Sequence, residues 1–121
     1  MILNQDGSFN TAINPTQRGG VIVFWMTGLG QTSPASITGK VTPVNLVNLH
    51  GSSPRQPLPI TVMFGDAKGL IFYDGPAPAM ISGISQINVI VPADAPYGST
   101  VPLTVQVGTA LSRPGVTVAL K

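Results

Sequence analysis

The sequence predicts an all-β protein of one domain, in which two antiparallel sheets pack face to face. Apolar and polar residues alternate along short segments, most clearly over residues 84–91 and 101–107. A repeat of two residues is typical of a β-strand, because successive side chains point to opposite faces. Fourteen Gly and twelve Pro residues supply turns between such segments. No window shows the clean 3.6-residue apolar period of an amphipathic helix.

The first strand, residues 1–3, leads into an Asp-Gly turn, because Gly tolerates positive φ and Asp bonds its own backbone. A metal site is the alternative, since side-chain oxygens occur at alternate positions. They belong to Asn4, Asp6, Ser8 and Asn10. A calcium loop needs several carboxylates and a closing Glu, and the chain contains no Glu. The pattern therefore favours the turn.

Residues 21–27 form the second strong strand, and both of its faces are apolar. Ile22, Phe24 and Met26 share the face that we assign to the core, and Val21, Val23 and Trp25 share the other. A strand of this kind is covered on both sides or uses one face for binding. Gly28 and Gly30 follow as a G-x-G pair. Neither a third Gly nor a helix follows, so the pair predicts a tight turn rather than a dinucleotide site.

Residues 31–57 are rich in Ser, Thr, Pro, Gly and Asn. A structureless loop of this length is uncommon in a compact domain, so we predict weak strands at residues 37–41 and 44–49. His50 is the single histidine and lies beside a Gly-Ser-Ser-Pro turn. Without a nearby Cys, Glu or second His, it is predicted to be a surface residue rather than a metal ligand.

The second half of the chain supplies the remaining strands. Residues 58–64 and 70–73 are predicted to form a hairpin, because the turn between them contains Gly. Residues 74–79 then cross to the strand at 84–91, and a Pro- and Gly-containing turn leads to 101–107. Residues 116–120 form the last strand. About seven short strands at this spacing predict a two-sheet sandwich.

Charge and cysteine content limit the function classes. Six cations are scattered singly along the chain, whereas nucleic-acid binding needs clustered Lys and Arg. The absence of Cys removes disulfides, thiol catalysis and Cys-type zinc sites. No stretch approaches the roughly 20 apolar residues of a membrane span, and the first residues do not show the charged start and long apolar run of a signal peptide. If the natural protein is exported, we expect its signal upstream of Met1.

Several short phrases occur together and in order along nearly the whole chain. They are Asn4-Gln5-Asp6-Gly7-Ser8 with Asn10, Asn14-Pro15, Arg18-Gly19, Thr27-Gly28-Leu29-Gly30 with Ser33-Pro34, Gly83 with Gln86-Ile87-Asn88-Val89 and Pro92, and Gly115-Val116-Thr117. The combination resembles the uncharacterised C-terminal domain of Solibacter-type acidobacterial secreted proteins, which is similar to the immunoglobulin-like IPT/TIG group. The chain departs from that family at Asp66 and Ala79, where Gly is usual, and both positions lie in turns.

The resemblance implies an all-β, immunoglobulin-like antiparallel β-sandwich of about seven to nine strands. It implies that residues 1–121 are one domain at the C-terminus of a longer exported protein, secreted or at the cell surface. It brings no catalytic residues and no cofactor.

An enzyme is the least favoured function class. Nucleophilic hydrolysis needs a base beside the nucleophile, and His50 is the only histidine. There is no G-x-S-x-G motif, and the four Asp residues are isolated among turn residues. We therefore expect no catalytic residues, no cofactor and no metal.

A non-catalytic extracellular spacer, adhesion or surface-interaction module is the favoured function. Its expected partners are extracellular polysaccharide or neighbouring domains of a parent protein. The alternative is a carbohydrate-binding module appended to a secreted glycan-active enzyme, because such modules stack sugars on exposed aromatic rings. The candidate ligand-binding residues are Trp25, Tyr73 and Tyr97 for stacking, and Gln86 and Asn88 for hydrogen bonding.

For Trp25, Gln86 and Asn88 the sequence favours a structural role over binding. Trp25 is expected to be a packed ring, covered by the segment at residues 31–57 through Val44, Leu46 and Leu49. In that case replacing Trp25 by Ala costs roughly 3–5 kcal/mol. Gln86 and Asn88 are expected to be buried amides that bond loop backbone at a corner of the sandwich.

Overall fold

The computed structural model describes residues 1–30, 32, 35–44 and 58–121, and this part of the chain contains nine β-strands and no helix. The strands are β1 (Ile2–Asn4), β2 (Val21–Met26), β3 (Ile60–Phe64), β4 (Ala67–Lys68), β5 (Leu70–Pro76), β6 (Ser85–Ile90), β7 (Gly98–Val107), β8 (Ala110–Leu111) and β9 (Thr117–Leu120). The predicted all-β class is confirmed.

Two antiparallel sheets face each other. The first sheet has the order β1-β2-β6-β5, and the second has the order β4-β3-β7-β8, with β9 also paired to β7. When the strands are lettered in chain order, β1, β2, β6 and β5 correspond to strands A, B, E and D of an immunoglobulin domain. The facing strands β3, β7 and β8 correspond to C, F and G. The fold is therefore an immunoglobulin-like sandwich of nine strands.

The core lies between the sheets and follows the predicted alternation. Ile22 and Phe24 of β2 and Ile87 and Val89 of β6 are buried from one side. Facing them from β3 and β7 are Val62, Phe64, Leu103 and Val105. The strands β6 and β7 are consecutive in the chain but belong to different sheets, so each covers the apolar face of the other's sheet.

The predicted hairpin between residues 58–64 and 70–73 was wrong. The strand β3 turns into the two-residue β4, and β5 then crosses to the first sheet, where it pairs with β6. Gly69 lies at this crossing, and a Cβ there would stand 2.5 Å from Val89 Cγ2 and 2.8 Å from Phe64 Cε2. The chain can change sheets here because Gly69 leaves room for core side chains.

The predicted weak strands of the long segment are not confirmed. Residues 37–41 form no strand, and their regular pairing is limited to an isolated bridge between Val41 and Ile81. The second predicted strand, residues 44–49, lies outside the described residues apart from Val44.

The N-terminal segment is joined to the last strand. Thr16 forms a parallel bridge with Leu120, its N–H donates to the carbonyl of Ala119 over 3.0 Å, and its carbonyl accepts from Lys121 N–H. Side chains reinforce this contact, because Asn10 exchanges two hydrogen bonds with the Ala119 backbone at 2.9 and 2.7 Å. The two ends of the chain are therefore held side by side.

Candidate functional site

Four of the five candidate residues lie together on the outer face of the first sheet. Trp25 of β2 is opposite Gln86 of β6, and Asn88 of β6 is opposite Tyr73 of β5. Residues paired across antiparallel strands share one face, and this face points away from the buried Ile87 and Val89. We call these four side chains the platform: Trp25, Tyr73, Gln86 and Asn88. All four are half-buried.

Tyr73 reaches the platform because of a β-bulge. The register of β5 shifts between Ile71 and Tyr73, so Ile71 is opposite the buried Val89 while Tyr73 is opposite Asn88. In a regular strand, residues two apart share a face, and Tyr73 would then point toward the core with Ile71. The extra residue at the bulge, Phe72, reverses that.

Gly75 determines where the Tyr73 ring lies. A Cβ on Gly75 would stand 3.3 Å from the Tyr73 hydroxyl and 3.5 Å from its Cζ, so the ring occupies the space above Gly75. Its hydroxyl donates to the carbonyl of Pro76 over 2.8 Å. Gly75 is opposite Gln86, which is opposite Trp25. The Tyr73 ring and the residue Trp25 therefore lie in one row across the sheet, on either side of Gln86.

Burial of the Tyr73 side chain raises the pKa of its phenol, and the negative charge of Asp74 raises this pKa further. The phenol is therefore protonated at neutral pH, as its bond to the Pro76 carbonyl requires. Tyr73 is fixed at its hydroxyl end, and the face of its ring is the part that a ligand would contact.

Gln86 and Asn88 bond each other along β6. Gln86 Nε2 donates to Asn88 Oδ1 over 2.9 Å. The expectation of buried amides bonding loop backbone was wrong, because both side chains are half-buried and point outward. An antiparallel sheet that covers a core with its other face presents such amides toward solvent or a partner.

The expected cover over Trp25 is not provided by Val44, which is 76% exposed. Leu46 and Leu49 lie outside the described residues. The Trp25 side chain is half-buried rather than fully buried, so it does not have the environment of a core ring.

The outer faces of the two sheets differ in composition. Register places these residues outward on the first sheet: Leu3, Val21, Val23, Trp25, Leu70, Tyr73, Gly75, Gln86, Asn88 and Ile90. On the second sheet the outward residues are Thr61, Met63, Lys68, Pro102, Thr104, Gln106, Leu111 and Thr117. The first list contains aliphatic, aromatic and amide side chains without a charge, while the second is mainly polar.

The fifth candidate, Tyr97, is not part of the platform. It lies in the turn before β7 and is 66% exposed. The Arg18 guanidinium stacks on its ring, with Cζ 3.5 Å from the ring centroid. One face of Tyr97 is thus occupied by a cation–π contact. The structure does not bring Tyr97 together with the other four candidates.

The alternating oxygens near the N-terminus serve the fold. Asn4 Oδ1 accepts from Asn10 Nδ2 and from the Thr16 hydroxyl. Asp6 Oδ1 accepts from the backbone and hydroxyl of Ser8, and these bonds hold the pKa of the Asp6 carboxyl below its usual range. The predicted Asp-Gly turn is confirmed. Among the described residues, no three His, Asp or Glu side chains form a group able to hold a metal ion.

An apolar groove lies at the end of the sandwich where β2 and β5 end. It has a volume of about 370 Å³ and is lined by Ile37, Val41, Pro43 and Pro76 among others. Ile37 and Val41 are each 65% exposed, so the groove is open to solvent. The single histidine, His50, which was predicted to be a surface residue, lies outside the described residues.

Comparison with known proteins adds no assignment: no family model, no curated protein and no solved structure matches the chain. Within the described ranges, no helix is long and apolar enough to cross a membrane. The resemblance to the Solibacter-type C-terminal domain stays a prediction, and function rests on the geometry of the site.

Proposed function

We propose that the protein is a non-catalytic extracellular module that attaches to another surface through the outer face of its first sheet. The observation that carries this proposal is the contrast between the two outer faces. Outward positions of the first sheet are uncharged and rich in aliphatic and aromatic side chains. Those of the second sheet are mainly polar (Thr61, Lys68, Thr104, Gln106 and Thr117), and Met63, Pro102 and Leu111 are the apolar ones.

This contrast supports a contact surface for a physical reason. In an antiparallel sandwich the strand positions that face away from the core are ordinarily polar. Contiguous apolar side chains at such positions favour an interaction site, since removing them from water is stabilising. A face without charges favours a partner surface without charges, because an unpaired charge buried against it would be costly.

The extracellular setting and the position beside other domains of a parent protein are supported by the resemblance in sequence alone. The non-catalytic character is supported by the residue inventory: one histidine, no Glu, no Cys and four separated Asp residues. We expect the purified protein to turn over no ester, peptide or glycan substrate. Turnover that disappeared in a His50→Ala variant would contradict this.

A retention assay on immobilised extracellular polymers tests the contact surface. The perturbation is Val23→Lys, which places a charge beside the platform while its methylene stem covers the same apolar surface. The matched control is Thr104→Lys, which places the same charge on the outer face of the second sheet. Polysaccharides, peptidoglycan and fibrous proteins are offered as separate matrices, and melting curves confirm that both variants fold.

We expect the wild-type protein to be retained on at least one matrix, Val23→Lys to lose that retention, and Thr104→Lys to keep it. Retention on no matrix, or equal loss in both variants, would contradict the proposal. A carbohydrate-binding module is the second candidate function, because the platform places two aromatic rings and two amides together.

A further inference from the structure

We propose that the platform binds a neutral polysaccharide of flat, ribbon-like shape, of the β-1,4-linked glucan class, with sugar rings stacked on Trp25 and Tyr73. This inference rests on the proposed function and names the ligand of the same outer face. Three features of the platform lead to it: the row formed by Trp25 and Tyr73, the amides between and beside them, and the lack of charge.

The row formed by Trp25 and Tyr73 determines the direction in which a bound sugar chain crosses the sheet and the distance that it must span. Trp25 is on β2 and Tyr73 on β5, with β6 between them. Two inter-strand spacings separate β2 from β5 by about 10 Å, a distance that a short oligosaccharide spans. Because the Tyr73 ring lies above Gly75, which is opposite Gln86, this ring is at the same height along the strands as the backbone of Trp25. A sugar chain would therefore cross the strands rather than follow them.

Stacking explains why a sugar fits these rings. The faces of a β-linked pyranose carry axial C–H groups, and they pack on aromatic rings, whose faces are electron-rich. A β-1,4-linked glucan is an extended ribbon that presents such faces repeatedly along its length. An α-linked glucan curves into a helix, which matches a row of rings across a sheet less well.

The two amides supply hydrogen-bonding groups between and beside the rings. The bond from Gln86 to Asn88 uses one polar atom of each side chain. Each amide keeps a second polar atom, the acceptor Oε1 on Gln86 and the donor Nδ2 on Asn88. Sugar hydroxyls donate and accept, so they match the Gln86 acceptor between the rings and the Asn88 donor two residues further along β6. The mutual bond also fixes both amides in advance, which lowers the entropy cost of binding.

The absence of charge restricts the class of polysaccharide. None of the outward residues of the first sheet that register identifies is charged. Uronic-acid or sulfated polymers would place anions against this face without a cation to pair with them, and such desolvation is unfavourable. Neutral glucans avoid that cost.

The test is calorimetric titration of the whole chain with soluble cello-oligosaccharides, together with depletion on insoluble cellulose. The variants are Trp25→Ala, which removes one ring, and Gln86→Leu, which removes the amide but keeps its size. Tyr73→Ala removes the other ring. The control is Met63→Ala, which removes a large half-buried side chain from the outer face of the second sheet.

We expect cello-oligosaccharides to bind the wild-type protein, and Trp25→Ala to weaken binding roughly tenfold or more, as the loss of a stacked ring implies. Gln86→Leu and Tyr73→Ala should also weaken binding, and Met63→Ala should leave it unchanged. If Trp25→Ala fails to fold, the other two variants carry the test. Polygalacturonate, an anionic polysaccharide, should not bind.

No binding of cello-oligosaccharides, equal binding to every variant, or equal binding of polygalacturonate would overturn the inference. The retention assay with Val23→Lys separates this failure from failure of the proposed function. If Val23→Lys abolishes retention on a protein matrix while glucans do not bind, the outer face is a contact surface and only the ligand class is wrong.

Discussion

Replacing Asn10 by Ala should strongly destabilise the protein, because this side chain joins the N-terminal loop to the last strand. Its Nδ2 donates to the Ala119 carbonyl over 2.9 Å and also to the side chains of Asn4 and Thr16. Its Oδ1 accepts from the Ala119 N–H over 2.7 Å. Ala119 is 2% exposed, so water cannot replace the amide without opening the structure.

The magnitude follows from what the substitution leaves behind. The Ala119 N–H loses the hydrogen bond shown for it, and an unsatisfied buried donor costs about 1–3 kcal/mol. The Ala119 carbonyl still accepts from Thr16 N–H, and Asn4 and Thr16 still bond each other. The free-energy cost of the hydrogen bonds that these groups lose is therefore at the low end of that range. The total is on the order of 2–4 kcal/mol, a large fraction of the roughly 5–15 kcal/mol typical of a domain.

Asn14→Ala is the matched control, because it removes the same side chain from the same loop. Asn14 is exposed, and its Nδ2 donates to the Ser8 hydroxyl and the Phe9 carbonyl, where water can take its place. We expect a cost below about 1 kcal/mol. Urea unfolding followed by the fluorescence of the single tryptophan measures both variants. If Asn10→Ala costs no more than Asn14→Ala, the network does not stabilise the fold as argued.

Three further predictions concern single positions. Gly69→Ala should cost about 1–3 kcal/mol or more in urea unfolding, because its Cβ would overlap Val89 and Phe64; an unchanged midpoint would refute the packing at the sheet crossing. Ala79→Gly should stabilise by about 1 kcal/mol, because Ala79 has a φ of 60° and only Gly adopts this conformation freely; a lower melting temperature would contradict that. Burial and the adjacent Asp74 raise the pKa of Tyr73 in the folded protein. The protonated phenol therefore contributes its full stabilisation below the pKa of the unfolded phenol, about 10. This stabilisation is lost as the pH rises through the higher pKa of the folded protein. The wild-type protein should therefore lose more stability than Tyr73→Phe above about pH 10, and parallel pH profiles would refute this.

The fold was predictable because the alternation along the strands is strong. Ile22 and Phe24, which were predicted to face the core on β2, are buried. An alternation with a period of two residues indicates directly which side chains of a strand share a face. The strand pairing was less predictable. Residues 65–69 resemble an ordinary hairpin turn, and the sequence does not reveal that Gly69 sits against core side chains rather than in solvent.

The candidate site was predictable in part. Trp25, Gln86 and Asn88 follow from alternation on two regular strands. Tyr73 was chosen only as an aromatic residue, because simple alternation along β5 would turn it toward the core, and a bulge has no clear signal in one sequence. The role of Gly75 was missed for the same reason. Tyr97 was chosen on residue type, and its contact with the distant Arg18 depends on tertiary structure.

The most direct test of the account is to map the contact surface by the amide chemical shifts of the labelled protein during titration with the polymer fragment that it retains. We predict shifts centred on Trp25, Gln86 and Gly75, with Thr104 on the second sheet unchanged. Shifts centred on Thr104, or on the groove beside Val41, would contradict the assignment of the outer face of the first sheet as the binding surface.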